Sequence, residues 1–234
     1  MTIFKYALIR GLKNPLALTL NCGLPILLLV FAEQIFDDGL YIGSDARGFY
    51  FIAFTIMWGS FLIAQGIRQD KLEGVIVRIL AGPVVLRSYL TQNFLAAMVP
   101  MAVISVIIGA LGMAVHGWTM AFALGLALCY ALLAATSIGL SFAFSCLFKN
   151  KDAVAAVFGA MLTLVAFICG LMIPLAGMPT PLFYLGTLFP AHWAARAIEA
   201  LHLYGISGMY WIGMLAMLMF TVAYILYGSK RGIM

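Results

Sequence analysis

The sequence predicts an all-α polytopic membrane protein with six transmembrane helices, and two observations carry that prediction. Of its 234 residues, 65% are hydrophobic and only 9% are charged, whereas charged residues make up about a quarter of a soluble domain. No Asp, Glu, Lys or Arg occurs from Ser88 to Phe148 or from Ala153 to Ala195. Such stretches suit bilayer hydrocarbon, where each helical span takes about 20 apolar residues.

The elements follow from the apolar runs and the turn residues between them. A single transmembrane domain is expected over residues 1–234. Residues 2–14 hold three cations and repeat Phe4, Leu8 and Leu12 at a spacing of four, which predicts an interfacial helix. The spans are predicted at residues 15–36, 49–67, 90–115, 120–148, 153–174 and 208–228.

The distribution of cations predicts the orientation, because cytoplasmic loops retain Lys and Arg. If both termini share one side, only Arg47 and Arg196 fall on the other side. The remaining eleven cations are Lys5, Arg10, Lys13, Arg68, Lys71, Arg78, Arg87, Lys149, Lys151, Lys230 and Arg231. The protein is therefore expected in a bacterial or archaeal cell membrane, with both termini on the cytoplasmic side. Membrane lipid is an expected partner. The net charge of +5 lies in loops rather than in a patch, so no nucleic-acid partner is expected.

Residues 70–82, between the second and third spans, are predicted to form a short amphipathic helix at the cytoplasmic surface. Asp70 is expected to cap its first turn, with Glu73 three residues on, and Pro83 follows its end. An apolar stripe at helical spacing is formed by Leu72, Val75, Ile76, Ile79 and Leu80. Periodicity alone is equally compatible with a helix that only anchors the loop.

Residues 175–203, before the last span, are predicted to form a broken, partly re-entrant outer segment, because Pro and Gly recur between residues 170 and 190. His192, Arg196 and Glu199 recur at i, i+4 and i+7, so Arg196 and Glu199 are close enough to pair on one helical face. Structural pairing is the simpler explanation, and an outer gate containing these three residues and Pro190 is the alternative. A solvated or interface-anchored position is expected for His192.

Two motifs resemble those of the permease subunits of type-2 ATP-binding-cassette (ABC-2 type) exporters. Lys-Leu-Glu-Gly at 71–74, followed by Arg-Ile-Leu-Ala-Gly-Pro at 78–83, resembles the loop after their second span. Leu-Phe-Pro-Ala-His-Trp at 188–193 resembles the segment that leads into their short outer helix before the last span. The predicted order of elements is also similar over essentially the whole chain.

The resemblance implies the membrane subunit of an ATP-driven exporter that works as a dimer with an identical or paralogous permease. Two copies of a cytoplasmic ABC ATPase would bind ATP and Mg, and the 70–82 helix would be the coupling helix. The implied ATPase-coupling residues are Lys71, Glu73, Gly74, Arg78 and Pro83. Glu73 and Arg78 would pair with charges on the ATPase, Gly74 would permit close approach, and Pro83 would fix the return to the third span.

No cofactor, metal or catalytic residue is expected on this chain. It lacks a G-x-x-x-x-G-K-[ST] phosphate loop, and its four cysteines lie in predicted spans without close ligand spacing. An intramembrane serine protease is disfavoured because Ser141 lacks the flanking glycine pattern of such enzymes and the histidines lie at or outside the membrane edge.

Two functional alternatives stay open. An ion-gradient-driven carrier usually needs deep carboxylates, and the acidic residues here lie in loops or at span ends. Sodium held by carbonyls and by hydroxyls such as those of Thr136, Ser137 and Ser141 does not have that requirement. The second alternative is a membrane scaffold that transports nothing.

Overall fold

The computed structural model describes residues 2–13, 19, 23–31, 46–72, 74–81, 85–145, 151–172 and 179–231. All regular secondary structure within these ranges is helical. In chain order the helices are α1 (Thr2–Leu12), α2 (Leu24–Val30), α3 (Ala46–Leu72), α4 (Val75–Leu80), α5 (Leu86–His116), α6 (Met120–Ser145), α7 (Lys151–Ile168), α8 (Thr180–Gly186), α9 (Pro190–Tyr204) and α10 (Gly208–Arg231).

Three of these helices are long and apolar enough to cross a bilayer, so the chain is a multi-pass membrane protein. Their apolar lengths are Ser88–His116 in α5, Met120–Phe144 in α6 and Gly208–Gly228 in α10. Shorter apolar lengths occupy Gly48–Ile63 in α3 and Val157–Ile168 in α7. Of the predicted span 15–36, the structure describes α2 and a few flanking residues, and the count of six spans stays a prediction.

The structure corrects one helix boundary that matters for function. α3 continues through Asp70 to Leu72, and α4 covers only Val75–Leu80. The expectation that Asp70 caps a helix over 70–82 is therefore wrong, because Asp70 lies in the last turn of the preceding long helix. Its carboxylate is occupied by side chains from α1 and α5.

The core is built around α6, which packs against α3, α5, α9 and α10. Two buried tyrosines connect it to its neighbours through hydroxyl-to-carbonyl hydrogen bonds. Tyr130 of α6 donates to the carbonyl of Phe49 in α3 at 3.0 Å, and Tyr210 of α10 donates to the carbonyl of Gly125 in α6 at 2.9 Å. Each bond satisfies a polar group that burial would otherwise leave without a partner.

The bundle has two distinguishable ends. At one end, hereafter the α1 end, α1 packs beside the end of α3 and the beginning of α5. At the opposite end α5 turns into α6, and the Trp118 ring in that turn lies 5.2 Å from the ring of Phe49 at the beginning of α3. His202, near the end of α9, lies 5.9 Å from the same Phe49 ring, so α9 ends at this opposite end.

α9 runs alongside the apolar helix α6 rather than beyond its end. The Cys129 thiol of α6 lies 3.9 Å from the carbonyl oxygen of Ala194 in α9. A closer approach occurs between α9 and α10, where a β-carbon at Gly213 would lie 2.7 Å from the carbonyl oxygen of Trp193. Only glycine fits there without a backbone shift, so Gly213 fixes α9 against the last span.

Candidate functional site

The loop between α3 and α5 contains the predicted coupling residues, and the structure describes only part of this set. Gly74 and Arg78 are described, Lys71 lies in the last turn of α3, and Glu73 and Pro83 lie outside the described residues. Arg78 is exposed on α4, and its backbone nitrogen donates to the Gly74 carbonyl at 3.2 Å. The five residues stay predicted coupling residues.

Gly74 forms the bend between α3 and α4. Its φ is 68°, in the left-handed region that glycine adopts with little cost. A β-carbon there would meet no described atom within 4 Å. As far as the described residues show, the glycine is therefore explained by its backbone conformation rather than by close packing.

A polar cluster lies at the base of this loop and joins three helices on one carboxylate. We call Arg10, Asp70, Tyr89 and Asn93 the Asp70 cluster. The Arg10 guanidinium Nη1 lies 2.5 Å from Asp70 Oδ1, and the Tyr89 hydroxyl donates a short hydrogen bond to Asp70 Oδ2. Arg10 Nη2 also donates to Asn93 Oδ1 at 3.4 Å, and Asn93 Nδ2 donates to the Tyr89 carbonyl at 2.9 Å. The cluster thus connects α1 and α5 to the last turn of α3.

The burial of its members explains why the Asp70 cluster is more than a surface ion pair. Tyr89 and Asn93 are buried and the Asp70 side chain is 14% exposed, whereas Arg10 is 42% exposed. An exposed ion pair contributes up to about 1 kcal/mol, and a hydrogen bond to a charged group contributes about 1.5–3 kcal/mol. Because Asp70 is largely withdrawn from water, removing either partner leaves its carboxylate incompletely satisfied.

The approach of α1 to α3 depends on small residues. A β-carbon at Gly66 would lie 2.8 Å from Arg10 Nε, so the guanidinium crosses directly over this glycine. A β-carbon at Gly11 would lie 3.7 Å from Cγ2 of Ile63, an ordinary contact distance. The backbone nitrogen of Phe4 adds a hydrogen bond to Gln92 Oε1 of α5 at 3.3 Å. Gly66 therefore provides the space that lets Arg10 reach Asp70.

The second group of predicted site residues lies on α9. Arg196 Nη1 lies 3.6 Å from Glu199 Oε2, which confirms the expected pairing. The Arg196 guanidinium carbon also lies 5.8 Å from the centre of the Phe183 ring, within range of a cation–π contact with α8. Pro190 begins α9 at a position where proline is well tolerated.

The expectation for His192 is wrong, because the side chain is buried rather than solvated. It is 2% exposed, and its ring packs edge-on against Phe183 with 5.0 Å between ring centres. Among the described residues, none forms a hydrogen bond with its Nδ1. Burial, and secondarily the charge of Arg196, lower the pKa of His192 from its usual value of 6.5. The histidine therefore favours its neutral form in the folded protein.

Close packing of α8 explains this burial. A β-carbon at Gly186, the last residue of α8, would lie 2.9 Å from the carbonyl oxygen of Ile168 and 3.0 Å from His192 Nδ1. The Cys169 thiol lies 3.8 Å from the Gly186 carbonyl oxygen. The end of α8 is thus held between the end of α7 and His192.

The residues of the Asp70 cluster were not predicted to meet. The local pattern at Asp70 predicts a helix cap, Arg10 contributes to the sequence analysis only as a cation of the interfacial helix, and no motif marks Tyr89 or Asn93. Among the members of the cluster, Asn93 is the one whose place in the sequence indicates a contact, because a polar amide within an otherwise uncharged apolar span usually has a partner.

The described apolar helices define a multi-pass membrane protein whose loop and α1 are organised by a polar cluster at one end. A family model described as ABC-2 type transporter matches residues 1–203. The chain therefore belongs to the ABC-2 type transporter family, and it is a membrane transport subunit of the kind that generally associates with an ABC ATPase. A search of curated proteins finds no match. Membrane subunits of this family are generally not catalytic themselves, which leaves the protease alternative without support.

Proposed function

We propose that the chain is the membrane-spanning subunit of an ATP-driven exporter and that α4 is the core of its coupling helix. In this proposal two permease subunits, identical or paralogous, form the pathway in a cell membrane, and each binds one ABC ATPase, which carries ATP and Mg. The α1 end faces the cytoplasm, where both termini lie. Family membership supports transport, and the Asp70 cluster at the base of the α4 loop is the observation that carries the coupling role.

The connections around α4 are suited to transmitting a displacement of α4 to the neighbouring helices. Two residues separate α3 from α4, and the bend at Gly74 changes the chain direction. Asp70 of α3 is connected to Arg10 of α1 and to Tyr89 of α5. A displacement of α4 by the ATPase would therefore move the ends of α3 and α5 together with α1, rather than only flexing a loop.

The predicted outer gate forms the second part of the proposal. α9 packs against both α6 and α10 and runs alongside them. Arg196 contacts Glu199 in the same helix and Phe183 in α8. We propose that α8 and α9 form a re-entrant element and that Pro190, His192, Arg196 and Glu199 shift with it when the pathway opens outward.

The ion-driven carrier gains no specific support from the hydroxyl groups of α6. Thr136 Oγ1 and Ser137 Oγ both donate to the Leu133 carbonyl of their own helix, at 2.8 Å and 2.9 Å. These bonds are common helix-internal contacts of buried hydroxyl groups. We therefore retain the ATP-driven function as the better supported proposal.

The test is reconstitution of the chain with its partner ABC ATPase. Glu73→Lys and Arg78→Glu should weaken copurification of the ATPase and abolish the stimulation of ATP hydrolysis by the permease, because each places a like charge in the interface. The matched control is Arg196→Glu on α9, which should leave ATPase binding unchanged. Unchanged binding and stimulation in both loop variants would contradict the coupling role, and transport by the purified chain without nucleotide would indicate the carrier.

A further inference from the structure

α1 has one face against the bundle and one face exposed. The docked face includes Phe4, Arg10 and Gly11, whose contacts with α3 and α5 are given above. At 100° per residue, the opposite side forms an arc of about 120°. Its members are all exposed: Lys5, Tyr6, Ile9, Leu12 and the adjoining Lys13. We call these five residues the α1 arc.

The α1 arc is basic and apolar at once. It contains two ammonium groups and no carboxylate, and no described residue forms an ion pair with Lys5 or Lys13. Arg10, the third cation of this segment, is instead directed to Asp70. Tyr6 is 73% exposed, and Ile9 and Leu12 are exposed beside it. A helix face that combines cations with an aromatic and aliphatic residues is typical of an interfacial helix.

The position of α1 along the bundle brings the arc to the level of the lipid headgroups. Gly11 lies beside Ile63, five residues before Arg68, the first charged residue after the apolar run of α3. Phe4 bonds to Gln92, which lies within the first turns of the apolar length of α5. One turn further along α5 begins a stripe of exposed aliphatic side chains at Leu95, Val99, Val103 and Val106. α1 therefore lies where the lipid-facing surface of the spans ends.

We propose that the α1 arc is a binding surface for anionic phospholipid headgroups. Tyr6, Ile9 and Leu12 enter the boundary between headgroups and acyl chains, and the ammonium groups of Lys5 and Lys13 bind phosphate oxygens. Charge complementarity and continuity with the apolar stripe of α5 both favour a lipid over an acidic protein surface, since three large apolar side chains share the arc. The inference goes beyond the proposed exporter function and does not depend on an ATPase.

Lipid bound to the α1 arc is also expected to affect the loop between α3 and α5. Arg10 belongs to the helix that carries the arc, and it is held by the carboxylate at the end of α3. A lipid that fixes α1 at the membrane surface therefore also fixes Arg10 relative to Asp70. Anionic lipid is expected to stabilise the Asp70 cluster, whereas zwitterionic lipid is not.

The experiment uses the full chain alone, with phosphatidylglycerol as the probe. The protein is reconstituted in nanodiscs of equal phosphatidylglycerol and phosphatidylcholine, then released for native mass spectrometry, and the ratio of the two retained lipids is measured. Lys5→Gln/Lys13→Gln should lower the preference for phosphatidylglycerol by about fivefold per lysine, as expected for about 1 kcal/mol for each cation. The matched control Lys5→Arg/Lys13→Arg should keep the preference. Ile9→Ser should lower retention of both lipids without changing their ratio.

Each outcome bears on the proposal. The glutamine variant should unfold at the wild-type temperature in detergent, because neither lysine has an ion-pair partner among the described residues. If that variant misfolds, the single substitutions Lys5→Gln and Lys13→Gln replace it and should each give half of the effect on a logarithmic scale. An unchanged lipid preference would overturn the proposal. In a separate copurification of the same variant with the ABC ATPase, lost binding together with an unchanged lipid preference would assign the arc to the ATPase instead and leave the exporter function intact.

Discussion

The guanidinium of Arg10 and the carboxylate of Asp70 lie 2.5 Å apart, although 60 residues separate them in the chain. This contact joins α1 to the last turn of α3, and the Tyr89 hydroxyl on the other carboxylate oxygen brings in α5. Asp70 is followed by only a short bend before α4. The carboxylate therefore determines how the helix proposed for coupling is attached to the bundle.

The first prediction concerns the energetic coupling of Arg10 and Asp70. Arg10→Gln and Asp70→Asn should each lower the thermal unfolding temperature in detergent, because each leaves a partly buried group without its charged partner. Asp70→Asn should lower the unfolding temperature more than Arg10→Gln does, since it weakens the bonds from both Arg10 and Tyr89. In the double variant the two effects should fall short of additivity by about 1 kcal/mol. Strict additivity would show that the contact contributes nothing in solution.

A second prediction follows from the glycine beneath the guanidinium. Gly66→Ala should destabilise the protein even though alanine favours helix, because its methyl group would lie 2.8 Å from Arg10 Nε and displace the side chain from Asp70. Gly11→Ala is the matched control, since its methyl group would lie 3.7 Å from Ile63 and helix propensity should make it neutral or stabilising by up to about 1 kcal/mol. Both are measured by thermal unfolding.

The Gly66 prediction has an internal check. In an Arg10→Gln background the ion pair is already absent and the shorter side chain leaves room for a methyl group. In that background Gly66→Ala should lower the unfolding temperature only slightly or raise it. A full loss of stability in that background would mean that Gly66 is needed for some other reason than space for Arg10.

The sequence predicts what depends on local composition. Of the three helices long and apolar enough to cross a bilayer, α5 and α6 have their apolar lengths in the one uncharged run from Ser88 to Phe148, and α10 has its apolar length in the final apolar run. Apolar length alone is sufficient to recognise such spans, because a helix in lipid must satisfy its backbone within itself. The pairing of Arg196 with Glu199 was likewise predictable, since three residues on one helix determine the distance.

The sequence does not predict contacts that depend on distant partners. Asp70 with Glu73 three residues on has the pattern of a helix cap, and nothing nearby reveals that Arg10 would occupy the carboxylate. His192 shares a polar face with Arg196, which suggests solvent, but α8 covers it. In both cases the local sequence pattern is present, but contacts with a distant segment of the chain determine where the side chain lies.

The third prediction concerns the bend at Gly74. Gly74→Ala should destabilise the left-handed conformation by about 1–2 kcal/mol, and the amide hydrogens of α4 should exchange faster as a result. Gly74→Asn should have a smaller effect, because asparagine tolerates this conformation better than alanine. The measurement is hydrogen–deuterium exchange of the peptides that cover α4. Gly208→Ala is the control: a β-carbon there also meets no described atom within 4 Å, and its φ is not positive. Unchanged exchange in the alanine variant would mean that the bend is not held at Gly74 in solution.

The fourth prediction concerns the pH dependence of stability through His192. Its pKa is lowered in the folded protein by burial and by Arg196, so unfolding at mildly acidic pH takes up a proton. Stability should be unaffected above the unfolded value of 6.5, fall as the pH drops below it, and level off below the folded pKa. The slope has an upper limit of about 1.4 kcal/mol per pH unit. Thermal unfolding between about pH 8 and about pH 5 measures it.

The slope, rather than the absolute stability, identifies the residue. His192→Gln removes the titrating group and should flatten the pH profile, even if the loss of ring packing against Phe183 lowers stability at every pH. His202→Gln removes a less buried imidazole from the same helix and is the matched control for the substitution itself. If the profile of His192→Gln still falls with the wild-type slope below pH 6.5, another group is responsible and the burial of His192 does not govern the acid sensitivity.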